Sequence, residues 1–207
     1  MNDIRTSTAT LRGQLRQALA NAAARTIADR GLAGLKARTL ADEVGCAVGA
    51  IYNAVADLDE LILHANARTL AGLEQALAAT VTAGSGTDWA IGQLVRFALA
   101  YLEFASAHRL PWRALFEHRL GSGQELPEWY QRDLERLFDY VERPVAELQP
   151  KASLEQRKLL ARSLFSAAHG VVALGLEEKL QFIPPKTLRE QVTIVVTALG
   201  TGLAAGK

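Results

Sequence analysis

Cysteine is nearly absent from this chain of 207 residues: Cys46 stands alone, so no disulfide can form within it. A lone thiol, with no apolar core segment near the N-terminus to act as a secretory signal, leads to the expectation of a cytoplasmic protein. Long hydrophobic runs are also missing to the eye. The longest, 192–205, is short and interrupted by Gly and Thr, so no membrane partner is expected. Charge of one sign is not in excess either. Lys and Arg number 23 against 22 acids, a net charge of +1, which by itself announces no polyanion partner. Alternating strand-like runs are scarce, there is no internal repeat, and no low-complexity tract appears.

Signatures of chemistry are equally scarce. The four histidines, His64, His108, His118 and His169, never pair at i, i+3 or i+4, so no metal site is expected. There is no Ser, His and Asp arrangement, no nucleophile elbow and no phosphate-binding glycine loop. These absences predict a protein that is not an enzyme and needs no cofactor. The Glu177–Glu178 pair, followed by Lys179, reads as a solvated loop. Cys46 reads as a small apolar residue packed in a turn, its thiol inert when buried.

What remains is helix. Ala, Leu, Glu, Gln and Arg dominate, and 49% of residues are hydrophobic. The spacing predicts an all-α fold of about nine helices. Leu11, Leu15, Leu19, Ala22, Ala23 and Ile27 mark a first helix over 11–30, closed by Gly31. Asp57 caps a helix over 58–81, and Asp88 caps another after the Gly-rich break at 83–87. Pro111 opens a short helix that the GSGQ run at 121–124 ends, and Pro127 opens a longer one that Pro144 kinks or terminates. Ser153 with Gln156, and Thr187 with Glu190, form capping boxes for the last two helices.

The stretch 37–63, ARTLADEVGCAVGAIYNAVADLDELIL, is the most informative. Small Ala41 lets two helices cross closely. Gly45, four residues on, stands where the first helix must stop with a positive φ. Ile51 returns the second helix to the first, and Leu40 and Val44 complete the seam. This is the pattern of a helix-turn-helix, helices over 38–44 and 47–55, whose second member lies in a DNA major groove. The residues near its start, Ala47, Val48, Gly49 and Ala50, followed by Tyr52 and Asn53, would face the bases. Asn53 can pair with adenine, and Val48 and Ala50 can meet thymine methyls. Arg5, Arg12 and Arg16 read either as an N-terminal basic arm within reach of phosphates or as a solvated, disordered terminus.

A helix ending in Gly31, a short link, then Leu40, Ala41, Gly45, Gly49, Ile51, Tyr52, Asp59 and Leu61 at these spacings resemble the head of the TetR family of bacterial transcriptional regulators. The resemblance implies a DNA-binding domain over 1–56 and a ligand-binding and dimerisation domain over 57–207, with 57–81 as a connecting helix. It further implies that Tyr52 contacts a phosphate, that Arg38 reaches a base and that Lys36 adds a phosphate contact. Four positions depart from the family pattern. Lys36 and Ala47 stand where Thr or Ser often caps, Leu58 where a phosphate-binding lysine is common, and Val55 where Phe is common.

The resemblance also places a ligand cavity among the C-terminal helices. Phe97, Tyr101, His108, Trp112, Phe116, Trp129, Tyr130 and Phe165 are the expected lining, suited to a small, mostly apolar molecule. The apolar stripes of the last two helices, Leu160, Leu164, Ala168 and Val171 with Val192, Val196 and Leu199, predict a four-helix homodimer interface. The expected function is therefore a ligand-responsive repressor on a near-palindromic double-stranded operator. The alternative is a helical small-molecule-binding protein without specific DNA affinity.

Overall fold

The computed structural model describes residues 2–121, 123–177 and 184–206, with the side chains of 2–9 outside the description. Glu178 and Lys179, and the side chain of Arg5, thus lie outside the described residues. Within them the chain is all α-helical. The order is α1 (Asn2–Arg30), a short 3-10 turn (Leu32–Gly34), α2 (Ala37–Val44), α3 (Val48–Ala54) and α4 (Leu58–Ala78). It continues with α5 (Thr87–Ala107), α6 (Arg109–Glu117), α7 (Glu128–Leu148), α8 (Leu154–Leu176) and α9 (Pro185–Ala205). The nine α-helices agree with the number that spacing predicts.

The chain divides into two compact units. The first holds Met1–Ala71 and His108–Gln131, the second Gly72–Ala107 and Arg132–Lys207. In the first unit, α1 packs on α2, α3 and α6. Its core is Leu19, Ala22, Ala23, Leu40, Ala41, Ile51, Ala54, Val55 and Leu61, with Leu58 and Cys46 packed at its margin. A smaller cluster of Ile27, Ala65 and Ala114 joins α1, α4 and α6. Small residues at these crossings let the helices approach closely, and their burial is the main stabilising term. In the second unit, α9 packs along both α5 and α8. Gly200 lets α9 lie close against α5, because a Cβ there would stand 3.1 Å from Ile91 Cγ1.

Several helix ends agree with their caps. α1 stops at Gly31, whose N–H donates to Ile27 O at 3.0 Å. Asp57 Oδ1 accepts from Glu60 N at 2.9 Å, while Glu60 Oε2 accepts from Ala56 N at 2.8 Å. Both halves of the Ser153–Gln156 capping box are formed.

Other ends differ, each for a local reason. α1 begins at Asn2, well before residue 11, because the sequence over 2–10 carries no apolar period to read. α4 stops at Ala78, before 81. Asp88 is not the cap of α5. Gly86, at φ 83°, turns the chain there, and its carbonyl accepts from Ala90 N at 3.0 Å. Asp88 instead occupies the first turn, where its charge complements the helix dipole. Pro111 is the third residue of α6, whose cap is His108. α6 ends at Glu117, before the GSGQ run. Pro144 does not end α7, which continues to Leu148. The Thr187–Glu190 box is not the start of α9. Pro184 caps it and Pro185 opens it, since proline is already set at a helical φ.

One expectation about membranes is also corrected. α8 is long and apolar enough to cross one by length and composition, with a mean hydropathy of 1.5 over an 18-residue window. Arg162, Ser163, Ser166, His169 and Gly170 break the run to the eye, but the leucines, valines and alanines around them keep its average high. Only 28% of that window is buried within the chain.

Candidate functional site

The turn between α2 and α3 is built on Gly45. Its φ of 75° and ψ of 38° are left-handed, as the spacing requires. Gly45 N and Cys46 N both donate to Ala41 O, at 2.9 and 3.0 Å, which satisfies the helix end and reverses the chain. Ala47, extended at φ −72° and ψ 147°, leads into α3, and Val55 leaves it extended at φ −128°. Ile51 and Leu40 are fully buried, so they hold α3 against α2. That fixes which face of α3 turns outward: Ala47, Val48, Gly49, Tyr52 and Asn53 are exposed, and Ala50 is half-buried. Val48 is 41% exposed and Tyr52 52%.

Lys36 and Arg38 are exposed beside them, at the start of α2. Neither Lys36 nor Ala47 makes a side-chain cap bond. Val55 is buried in the head core, and Leu58 packs partly buried against it. The basic arm is smaller than the spacing suggests. Arg16 pairs with Glu60, and Arg25 with Glu43 at 2.8 Å, so both are engaged within the head. Arg12 remains exposed.

The residues expected around a ligand fall into both units. In the first, Trp112 is fully buried and meets Phe116 edge-on at 5.7 Å. Trp129 meets Tyr130 edge-on at 5.6 Å and stacks on His64 at 5.0 Å. Burial lowers the pKa of His64 below 6.5, with Arg16 adding to the effect. His108 is exposed at the cap of α6. His118 Nε2 lies 2.9 Å from Asp59 Oδ1, which ties the end of α6 to the first turn of α4.

In the second unit, Tyr101, Phe165, Phe138 and His169 form one aromatic cluster from α5, α7 and α8. Tyr101 meets Phe165 edge-on at 5.5 Å, Phe138 meets Phe165 at 5.6 Å, and His169 stacks on Phe165 at 5.6 Å. The hydroxyl of Tyr101 lies 2.7 Å from His169 Nδ1. Burial lowers the pKa of His169, which favours the neutral ring. Phe97 packs against Tyr140 at 5.8 Å. Tyr140 and His169, which are outside the expected lining, stand among these rings. Phe165 and His169 stand at i and i+4 on α8, a spacing that could have found the pair. A surface depression of about 540 Å³ lies elsewhere, between the α7–α8 turn and the end of α9, and none of the expected ligand residues lines it.

The stripes of α8 and α9 are partly spent within the chain. Leu164, Ala168, Val192 and Val196 are buried, and Leu160 and Val171 are half-buried. The faces left open present Leu159, Leu174 and Ile194, with Leu199 from the expected set at 38% exposure.

An all-α chain whose head carries an outward-facing second helix defines a helix-turn-helix protein. A family model described as tetracyclin repressor-like, C-terminal domain, matches residues 94–199, about half of the chain. The chain belongs to the TetR family of transcriptional regulators, a family of regulators and not of enzymes. No curated protein sequence matches it. A protein of unknown function from Rhodococcus sp. RHA1 is 26% identical, at a TM-score of 0.70, over 92% of this chain and 95% of that one. A TetR-like transcriptional regulator from the same organism is 20% identical, at a TM-score of 0.58, over 93% and 97%. A TetR-family regulator from Streptomyces coelicolor is 19% identical, at a TM-score of 0.64, over 94% and 83%. At these lower identities the likeness is one of fold.

Proposed function

We propose that this regulator is a ligand-responsive repressor that binds a near-palindromic operator as a homodimer, with α3 of each subunit in a major groove. The observation that carries the reading is the exposed face of α3. Tyr52 and Asn53 point outward while Ile51 and Ala54, on either side of them in the chain, are buried. Tyr52 and Lys36 serve phosphates, which position the head, while Asn53 and Arg38 serve bases, which specify the site. The second copy covers the open apolar faces of α8 and α9, where Leu159 and Ile194 are 65% and 66% exposed. Such a pairing, rather than a lipid environment, accounts for an apolar helix that its own chain leaves mostly uncovered.

A small, mostly apolar or aromatic molecule acts at the C-terminal aromatic residues. Of these, the Tyr101–Phe165–His169 cluster offers ring faces beside the Tyr101–His169 polar pair. It lowers operator affinity only to the extent that it binds the conformation unfavourable to DNA more tightly, typically about 1–3 kcal/mol.

Selection of binding sites from random duplex DNA, followed by a gel shift on the DNA upstream of the protein's own coding region, tests the reading. An enriched inverted repeat is expected. Asn53→Ala should cost about 1–3 kcal/mol and relax one base pair of each half-site. Unchanged affinity and preference would refute the groove assignment. A second reading, a helical small-molecule-binding protein without specific DNA affinity, draws on the missing side-chain caps of α2 and α3. Absence of any enriched sequence, with ligand binding retained, would favour it.

A further inference from the structure

From Gly45 to Ala56 no residue carries a charge. Guanine in the major groove is read mainly by Arg or Lys, and the cytosine amine by Asp or Glu. α3 offers neither. Its exposed surface is Ala47, Val48, Gly49, Tyr52 and Asn53, with the methyl of half-buried Ala50 alongside. Only Tyr52 and Asn53 can make side-chain hydrogen bonds. Apolar side chains in a major groove gain from one base feature, the methyl group at C5 of thymine. Val48, 41% exposed, is the largest of them.

We infer that α3 reads C5-methyl groups, so that 5-methylcytosine is accepted where thymine is, and operator affinity responds to cytosine C5 methylation. The inference rests on the proposed placement of α3 in a major groove. Thymine and 5-methylcytosine carry the methyl at the same ring position. They differ at C4, where thymine has an oxygen acceptor and cytosine an amine donor. Val48 and the two alanines have no polar side-chain atom with which to sense that difference. Cytosine and uracil lack the methyl and leave the apolar face against water. Burying one methyl is worth about a four-fold change in affinity, and the symmetric pair in two half-sites about fifteen-fold.

The test uses the full-length protein and a site selected from random duplex DNA. Each thymine of the half-site is replaced in turn by uracil, by cytosine paired with guanine, and by 5-methylcytosine paired with guanine. Binding is read by fluorescence anisotropy at one salt concentration. At one or more positions, uracil should weaken binding about four-fold per half-site. There, 5-methylcytosine should bind more tightly than cytosine by a similar factor. Val48→Ser, at an exposed position, should bring the thymine-to-uracil ratio toward one. Equal affinity for thymine and uracil at every position overturns the inference, as does equal affinity for cytosine and 5-methylcytosine, even if the site is bound specifically. If no sequence is enriched at all, the placement of α3 fails first and the inference with it.

Discussion

Gly49 sits in the first turn of α3 on its exposed side, and a Cβ built there meets nothing within 4 Å. Its φ is outside the left-handed region, so the backbone does not require glycine. Within the chain, then, Gly49→Ala should be favourable. Alanine loses less conformational freedom on folding, worth roughly 0.5–1 kcal/mol in a helix, and the first turn argues for the lower end. For a domain of this size that raises the melting temperature by roughly 1–4 °C. Against DNA the sign should reverse. If the backbone of α3 approaches the bases at Gly49, an added methyl overpacks the interface, typically at about 1–3 kcal/mol. That is roughly a five- to 150-fold loss of affinity per half-site. Thermal melting by circular dichroism and anisotropy with the selected operator measure the two effects on one protein sample. A more stable variant with unchanged DNA affinity would show that Gly49 does not face DNA. A less stable variant would refute the reading of its local space.

Four further substitutions and one change of pH probe the rest. Ile194→Arg, at a 66% exposed position, should leave the fold intact and give a monomeric mass in light scattering, while Val196→Arg, at a position 4% exposed, should lower the melting temperature instead; a dimeric Ile194→Arg would remove the α9 face from the interface. Leu61→Ala, at a fully buried site in the head core, should cost about 2–5 kcal/mol in urea denaturation, and a loss below about 1 kcal/mol would contradict the packing described. His64 and His169 have folded pKa values lowered from 6.5 chiefly by burial, so the unfolded chain takes up protons first. Their contribution to stability should be present above pH 6.5 and be lost as pH falls from there through the folded pKa values. His169→Gln should reduce that slope in urea melts between pH 5 and pH 8; an unchanged slope would refute the assignment of His169 as a buried neutral ring.

Much of the head was legible because its geometry is local. A left-handed glycine four residues after a small residue, and an apolar anchor six further, leave few alternatives for 37–55, and the observed φ of Gly45 follows from that spacing. The capping box at Ser153 was legible for the same reason, being complete within four residues. The Thr187–Glu190 box satisfied the same local pattern and failed. A proline pair upstream started the helix earlier, and a cap pattern is silent about competing starts. The arm shows the opposite limit: Arg16 looked free in sequence, but its partner Glu60 is 44 residues away.

Alone, the chain of letters determined the class, all-α, with a helix-turn-helix near its start, because hydrophobic period and turn chemistry act over a few residues. It also determined that the second helix of that motif carries no charge. Only the tertiary structure decided how each apolar stripe is used. Val192 and Val196 on α9 are indistinguishable from Ile194 by hydrophobicity, yet the first two are buried against their own chain and the third is left open. The same holds for His169, whose tie to Tyr101 crosses 68 residues. Burial and partnership depend on which helices meet, and that is settled by the sum of many weak packing contacts over the whole chain, not by any short run of it.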